Sequence, residues 1–541
     1  MRIINLLFVV FLFLQNTYCQ QKTQDTDSLI ALSQTGASPL FFTPFQYGLN
    51  ALAVANFNEP KEATVRNGLP NLFHKIALNS GTIHVGFIGG SITRANDQYR
   101  GQTLDYLQRT YPNVTFKGIN AGVSGTGTEL GAFRIKEQLL DYEPDLVFVE
   151  FAVNGGSDQA MEGIVRQIIA QNPKTDICFI YTIVGSQTIN YQNGDMPSKI
   201  KSFETVAQYY NIPSIHLGMY PAKLEKEGSI VWKGPSGSVP IAFSADGTHP
   251  NREGGDLYAG AIARAIAKMQ TASSVFRTGL PAKQFVSDWE KACMYNASTV
   301  LGAEGLPEII CSENTNFQQF DGWFNRVPVV REGKSIGFNF EGSGFGLFDI
   351  GGPEAGAIQV EIDGRPAKLI KRSEVQYELN TIGSVTQVNR FNQYCNNRYR
   401  GQFFWIDMPE GKHQITLTAV KSNESKATLL GAANLADLQS RPAVYAKNEL
   451  MIGRILVRGS ALQVINSITS IKHSPKLFYP NPASNWIKQI NEQGHAIEIR
   501  SITGTKLIHT FQSLIDVSAL ATGHYLVVQS NSNKSQSLIK Y

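Results

Sequence analysis

The feature that most constrains the fold is a regular alternation of short apolar runs and amphipathic stretches between residues 83 and 270. The apolar runs are typical of buried strands, and the stretches between them carry apolar residues three and four positions apart, as helices do. The predicted strands are Ile83–Ile88, Val114–Ile119, Leu146–Phe151, Ile177–Val184 and Ser214–Leu217. This alternation predicts an α/β fold, a doubly wound parallel sheet with helices on both faces.

Two of the predicted helices have recognisable starting points. One follows Ser157 or Asp158, because either side chain can accept a hydrogen bond from the first turn. Another opens at Pro197 or Ser198 and runs to Tyr210. The apolar residues of these helices are most simply interpreted as part of the hydrophobic core.

The pattern changes beyond about residue 300 to short β-rich runs separated by glycine, which predicts a β-sandwich. The tail from Leu477 shows short alternating strands punctuated by proline and glycine, and predicts a second, smaller sandwich. A chain of 541 residues is long enough for about three or four domains. The predicted boundaries are 70–275 for the α/β domain, 300–465 for the β-sandwich and 472–541 for the tail.

The N-terminus resembles a targeting segment rather than part of the fold. A positive start at Met1-Arg2 precedes an almost continuous apolar run from Ile4 to Leu14, and polar sequence follows Cys19. This is the layout of a secretory signal peptide, predicted over 1–19 and followed by an extension over 20–69. The apolar run is shorter than the roughly 20 residues of a membrane span. We therefore expect an exported protein without a transmembrane segment.

The net charge and the cysteine content restrict the partners and the kinds of site that the protein can have. A net charge of +4, without a cluster of lysines and arginines, argues against a nucleic-acid partner. The cysteine spacings match no zinc site, and export permits disulfides. Cys178, in an apolar run, is predicted to be a buried free thiol, and Cys293 with Cys311 is the most plausible bridge.

The candidate nucleophile is Ser91, in the string Gly89-Gly90-Ser91 at the end of the first predicted strand. The glycines allow a sharp turn and leave little cover over the hydroxyl. Open α/β sheets bind their ligands at the carboxyl ends of the strands. A serine hydroxyl also needs an oriented base, and His249 is the best candidate because Asp246 precedes it by three residues.

Acyl transfer also requires donors for the developing oxyanion. The glycine-rich loop 120–127 after the second strand exposes backbone N–H groups, and Asn154 after the third strand offers a carboxamide. Phosphate binding is the alternative for such loops, but the chain has no GxxxxGK[ST] motif and no GxGxxG after the first strand.

Two further patterns have competing interpretations. The segment Gly333–Gly337 matches GxSxG but continues as a β run, so it lacks the strand-to-helix turn of a nucleophile elbow. Several aromatic and amide residues of the predicted β-sandwich are candidates for a carbohydrate-binding platform, with core packing as the alternative. They are Trp323, Tyr377, Asn389, Tyr394, Tyr399 and Trp405.

Taken together, four blocks in order resemble the SGNH (GDSL-type) hydrolase superfamily. The blocks are Gly89–Thr93, Asn120–Gly125, Val153–Gly155 and Asp246–His249. The resemblance implies a flavodoxin-like fold, Ser91 as nucleophile, His249 as base and Asp246 as its partner. It further implies an oxyanion hole from the Ser91 N–H, the Gly125 N–H and the Asn154 side chain, and no metal or organic cofactor. The usual Gly-Asp-Ser and Asn-Asp of the family are Gly-Gly-Ser and Asn154-Gly155 here.

The tail resembles a type IX secretion sorting domain through Tyr479–Pro482, Gly523–Tyr525 and Lys540. This implies passage through the type IX machinery to the medium or the cell surface. The sequence thus predicts a secreted serine esterase that removes O-acyl groups, acetyl first, from a polysaccharide. The alternatives are a lipase or lysophospholipase of the same superfamily, and an inactive carbohydrate-binding surface protein.

Overall fold

The computed structural model describes residues 40–44, 48–95, 98–301, 306–396 and 398–463, and seven short segments of the tail. Those segments are 478–479, 486–489, 497–501, 506–510, 514–521, 523–529 and 535–540. The predicted signal peptide lies outside the described residues. Within these ranges, no helix combines the length and the apolar character that a membrane span requires.

The first unit is built on a seven-stranded sheet in the order β1-β4-β3-β5-β6-β7-β2. Its strands are β1 Leu40–Phe42, β2 Ala63–Thr64, β3 Thr82–Gly89, β4 Thr115–Gly122, β5 Leu146–Glu150, β6 Asp176–Tyr181 and β7 Ser214–His216. The five inner strands are parallel. Numbered 1 to 5 along the chain, these strands lie in the order 2-1-3-4-5, which is the flavodoxin-like order. The predicted α/β fold is confirmed.

Both outer strands come from the segment predicted as an N-terminal extension. Strand β1 pairs antiparallel with β4, and β2 pairs antiparallel with β7. These short strands form hydrogen bonds with backbone groups at the two edges of the parallel sheet. The strands between them are almost wholly buried, as parallel strands covered on both faces must be. The described strands of the extension are therefore part of the sheet.

Helices connect the parallel strands. They are α1 Pro70–Ala77, α2 Ser91–Arg94, α3 Arg100–Thr110, α4 Thr128–Gln138, α5 Asp158–Gln171, α6 Thr188–Gln192, α7 Ser198–Tyr209, α8 Met219–Lys226 and α9 Arg252–Gln270. The crossovers from β3 to β4 and from β4 to β5 run in opposite directions, so right-handed connections place their helices on opposite faces. The predicted cap is confirmed, since the Ser157 side chain accepts a hydrogen bond from the Ala160 N–H at 3.2 Å.

Two short strands, β8 Ile230–Lys233 and β9 Ile241–Ser244, form a separate parallel pair before α9. Short 3₁₀ turns cover Pro60–Glu62, Leu140–Tyr142, Gly185–Gln187, Trp289–Lys291, Cys311–Glu313, Gln318–Phe320 and Ala432–Asn434.

The second unit is an 11-stranded sheet, referred to below as the β-domain. Its strands are β10 Ala292–Asn296, β11 Glu308–Ile310, β12 Arg326–Val330, β13 Ser335–Gly351, β14 Ala357–Ile362, β15 Arg365–Pro366, β16 Leu369–Lys371, β17 Gln376–Leu379, β18 Gln387–Asn389, β19 Arg400–Val420 and β20 Leu450–Gln463. Its helices are α10 Ala297–Val300, α11 Lys426–Leu430, α12 Leu435–Ser440 and α13 Pro442–Tyr445.

The sheet of the β-domain folds over its own core. Phe338 and Phe345 lie on the same strand, and a straight strand would separate them by about 23 Å. Their ring centroids are only 5.8 Å apart, because β13 bends at a bulge between Gly342 and Gly344. The two halves of the long strands thus face each other across a buried apolar layer, as in a sandwich.

The two units share one continuous apolar core. The Trp289 ring lies between them, 5.4 Å from the ring of Phe133 in α4 and 5.8 Å from the ring of Trp405 in β19. An ion pair of 2.7 Å joins Arg454 of β20 to Glu137 of α4. Shared packing therefore holds the β-domain against the α/β domain. The domain boundaries stay predictions.

The predicted bridge between Cys293 and Cys311 is wrong. All four cysteines of the described residues are free. Cys293 packs against the inner core of the β-domain, with its Sγ 3.6 Å from the Val457 carbonyl oxygen, whereas Cys311 is buried in the core shared with the α/β domain. The two thiols occupy different apolar layers. Cys178 is a buried free thiol, as predicted.

The tail contains a three-stranded and a four-stranded sheet. The strands are β21 Phe478–Tyr479, β22 Trp486–Gln489, β23 Ile497–Ser501, β24 Lys506–Thr510, β25 Leu514–Asp516, β26 Gly523–Gln529 and β27 Ser535–Lys540. Apolar residues from both sheets, among them Ile487 and Ile499, form one small core, which gives the predicted second sandwich.

Candidate active site

Ser91 lies where β3 passes into α2. Strand β3 ends at Gly89, Gly90 caps the short helix, and Ser91 is its first residue. A Cβ on Gly89 would lie 2.3 Å from the Thr93 Oγ1 and 2.4 Å from the Glu150 carbonyl oxygen. A glycine is therefore required for the tight turn that presents the hydroxyl at the carboxyl edge of the sheet.

The structure brings Ser91, His249 and Asp246 together in one line of hydrogen bonds. The His249 Nε2 lies 2.7 Å from the Ser91 Oγ, and its Nδ1 lies 2.7 Å from the Asp246 Oδ2. An ionised carboxylate can only accept, so Nδ1 carries the proton of the neutral ring and Nε2 is left to accept from the serine. This is the arrangement that a serine nucleophile requires.

Asp246 is held by its own loop. Its Oδ1 accepts hydrogen bonds from the backbone N–H groups of Thr248 and His249, both at 2.8 Å. Partial burial acts to raise the pKa of Asp246, but the hydrogen bonds from the His249 side chain and these N–H groups lower it to about 2. The ionised carboxylate therefore stabilises the folded loop above its ordinary pKa, a contribution lost as the pH falls towards 2.

The rest of the loop is anchored from two sides. The Gly247 carbonyl accepts from the Trp232 Nε1 at 3.0 Å and from the Gly185 N–H at 2.8 Å. The buried Ser244 hydroxyl lies 2.7 Å from the His249 carbonyl oxygen and accepts from the Gly247 N–H at 2.9 Å. Sequence reasoning missed Ser244. A serine two residues before the candidate aspartate is too common a feature to indicate it.

The three predicted oxyanion donors follow three neighbouring strands. Ser91 follows β3, Gly125 lies in the turn after β4, and Asn154 follows β5, and these strands are adjacent in the sheet. Gly125 has a φ of 71°, which favours glycine. The carboxamide of Asn154 lies directly against the backbone before the serine, since a Cβ on Gly90 would be 1.7 Å from the Asn154 Oδ1.

This contact explains one departure from the family pattern. An aspartate at position 90 would need the space that the Asn154 side chain occupies. Gly-Gly-Ser and the present position of Asn154 are therefore mutually dependent.

A fully buried carboxylate, Glu150, lies behind the serine turn and was not singled out from the sequence. Burial raises its pKa, and hydrogen bonds from Thr182, from Thr93 and from the Gly90 N–H oppose that shift. The Thr182 Oγ1 is 2.5 Å and the Thr93 Oγ1 3.0 Å from the carboxylate oxygens. The available signal was a glutamate inside an otherwise apolar strand, where an acid persists only with partners.

The remaining sequence patterns have a structural outcome. Ser335 of the GxSxG string begins β13, and its hydroxyl lies 2.8 Å from that of Thr418, so the predicted failure of that motif is confirmed.

Trp323, Trp405 and Tyr377 are buried, which favours the core interpretation over an exposed platform. Tyr394, by contrast, is exposed. In the described part of the chain, no group of three histidine, cysteine or acidic side chains is arranged to hold a metal ion.

Comparison with family models gave two matches. Residues 87–257 match the GDSL-like lipase/acylhydrolase family. The matched segment contains the Ser91 turn and the loop with Asp246 and His249, and the predicted resemblance is confirmed. The α/β domain is called the GDSL-type domain below. Residues 477–540 match the secretion system C-terminal sorting domain, which confirms the predicted sorting tail.

Solved structures similar to this chain include a two-domain esterase (CEX) active on acetylated mannans and co-crystallized with mannopentaose. It is 18% identical, with a TM-score of 0.51, and the match covers 74% of this chain and 98% of that one. This likeness concerns the fold, and it extends beyond the GDSL-type domain into the β-domain.

Two further matches cover about a third of the chain. The acetylxylan esterase Axe2 from Geobacillus stearothermophilus is 19% identical, with a TM-score of 0.27, over 36% of this chain and 96% of that one. A lipase/acylhydrolase from Enterococcus faecalis is 20% identical, with a TM-score of 0.25, over 34% and 96%. A comparison with curated proteins gave no match.

Proposed function

We propose that this protein is a secreted serine esterase that removes O-acetyl groups from a polysaccharide. One observation carries the proposal: the line of two 2.7 Å hydrogen bonds that joins Ser91, His249 and Asp246. The match of residues 87–257 to the GDSL-like lipase/acylhydrolase family supports ester hydrolysis. The similar two-domain esterase is active on acetylated mannans, which suggests an acetylated glycan as the substrate.

In the proposed reaction the Ser91 Oγ attacks the ester carbonyl while the His249 Nε2 takes its proton. The N–H groups of Ser91 and Gly125 and the Asn154 carboxamide would hold the oxyanion. The bond to the sugar oxygen then breaks, and the imidazolium returns its proton to that oxygen. Water, activated by the same imidazole, attacks the acetyl-serine and releases acetate. Asp246 keeps the imidazole in the required tautomer throughout.

The open form of the site suits a polymer. The His249 side chain is 33% and the Asp246 side chain 49% exposed. A chain of sugars can therefore approach the serine without entering a closed tunnel. The sorting tail supports action outside the cell, where polysaccharides are found.

The first test is Ser91→Ala assayed with an aryl acetate and with acetylated glycans. We expect kcat/KM to fall by about 10⁴-fold or more, because the nucleophile is lost while the protein remains folded. Ser335→Ala is the matched control and should retain wild-type activity. Retained activity in Ser91→Ala would exclude the proposed mechanism.

The same assay separates the alternatives. Faster release from long-chain esters than from acetylated glycans would indicate a lipase or lysophospholipase. Glycan binding without acetate release, together with no labelling of Ser91 by a fluorophosphonate, would indicate an inactive binding protein.

A further inference from the structure

A cleft of about 780 Å³ lies between the GDSL-type domain and the β-domain, beside the candidate active site and outside their shared core. One wall is the turn that carries Gly125, a proposed oxyanion donor. The other wall carries Arg400, the first residue of β19. The Arg400 Nη2 lies 3.9 Å from the position that a Cβ on Gly125 would take. The β-domain therefore lies directly beside Gly125, one of the proposed oxyanion donors.

Other basic side chains of the cleft are already neutralised. Arg390 forms a two-pronged ion pair with the buried Asp349, at 2.6 and 3.0 Å. Lys371 pairs with Glu374 at 2.9 Å. Neither cation needs a further anion.

Arg400 differs from them. Among the described residues, no carboxylate lies within ion-pair distance of its guanidinium, which instead stacks on the Tyr394 ring at 4.6 Å. The side chain is half-buried. Burial lowers the pKa of Arg400. Glu424 also lines the cleft but does not pair with it.

A half-buried guanidinium without an acidic partner favours an anionic ligand. Its planar fork matches a carboxylate, which can accept two parallel hydrogen bonds. Tyr394 supports this geometry, because stacking holds the plane of the guanidinium while leaving its edge free to bond. The most common carboxylate on a polysaccharide is that of a uronic acid unit.

We propose that Arg400 binds a carboxylate of the substrate, so that the natural substrate is an O-acetylated acidic polysaccharide containing uronic acid units. This inference rests on the proposed esterase function and adds the class of polymer. The β-domain would then contribute directly to specificity, through a residue next to the oxyanion loop.

The test compares kcat/KM on an acetylated polyuronate with that on its carboxyl-reduced counterpart, acetylated to the same degree after reduction. We expect the wild-type protein to prefer the acidic polymer, and added salt to weaken this preference. Arg400→Gln should reduce the preference by about ten- to a hundredfold, since a charge-assisted contact is lost. The control Arg365→Gln, at an exposed position of β15, should keep it.

Three outcomes would overturn the inference. They are equal activity of the wild type on both polymers, an equal loss on both in Arg400→Gln, and a preference for an acetylated sulfated polymer without one for the polyuronate. The salt dependence and the wild-type preference test the inference even if Arg400→Gln folds poorly. Failure to release acetate from any substrate, aryl acetate included, would instead contradict the proposed function.

Discussion

At the scale of single residues, Gly90 and Asn154 depend on each other for space in the candidate site. The carboxamide of Asn154 occupies the space where a side chain at position 90 would begin. A side chain at position 90 would therefore displace Asn154, a proposed oxyanion donor, from its place beside the serine turn.

Gly90→Ala should consequently lower the esterase activity without removing any reacting group. The added Cβ would displace the Asn154 carboxamide, and we expect kcat for an aryl acetate to fall by about 10²- to 10³-fold with little change in KM. Gly279→Ala is the control, because a Cβ there meets no atom within 4 Å.

Combining the change with Asn154→Ala sharpens this test. If both substitutions act through the same donor, the double variant should be no slower than Asn154→Ala alone. Additive losses would show that Gly90 acts by another route.

At the scale of structural elements, the loop from β9 to α9 determines how the imidazole is presented. Ser244 is its buried anchor, and its hydroxyl joins the backbone of Gly247 to that of His249. The loop is otherwise open to solvent at Asp246. Its order therefore depends on a few hydrogen bonds rather than on apolar packing.

Ser244→Ala should loosen this loop. Removing the hydroxyl leaves the Gly247 N–H without its partner, so we expect kcat to fall about tenfold, in line with the loss of one or two buried hydrogen bonds. Steady-state kinetics on an aryl acetate measure the effect, and Ser236→Ala, at an exposed serine between β8 and β9, is the control. Wild-type kcat in Ser244→Ala would mean that the loop holds its shape without this anchor.

At the scale of the whole molecule, the β-domain and the GDSL-type domain share a core rather than a surface contact. Trp289 is central to it, because its ring contacts α4 and β19 and lies under the Arg458 guanidinium at 4.9 Å. The cleft that contains Arg400 exists because this core holds the two walls at a fixed distance.

Trp289→Ala should therefore weaken the packing between the GDSL-type domain and the β-domain. We expect a loss of about 3–5 kcal/mol in the free energy of unfolding, typical of a buried tryptophan replaced by alanine. Calorimetry should show the shared transition of the wild type moving down in temperature and separating into two. Val286→Ala, at a fully exposed neighbour, should leave it unchanged. A shared transition that stays intact in Trp289→Ala would contradict this account.

Much of the fold was predictable because its signals are local. The alternation of strand and helix periods located all five parallel strands to within a few residues, and Ser157 marked the start of α5 correctly. The sequence placed Ser91 at the carboxyl end of the first parallel strand, where open sheets bind their ligands, and Asp246 and His249 in a loop ahead of a helix, and the structure has both features. The two edge strands were missed, because β1 and β2 are two or three residues long and show no period.

By itself, the sequence determined the class of fold, the order of the units and the residues worth testing, since each depends on periodicity or on short motifs. Only the tertiary structure decided what those residues meet: the Asn154 side chain over Gly90, the separate layers of Cys293 and Cys311, and Arg400 opposite Gly125. The contacts of Asn154 and Arg400 join positions far apart in the sequence. They follow from how the sheets pack, which no local pattern records.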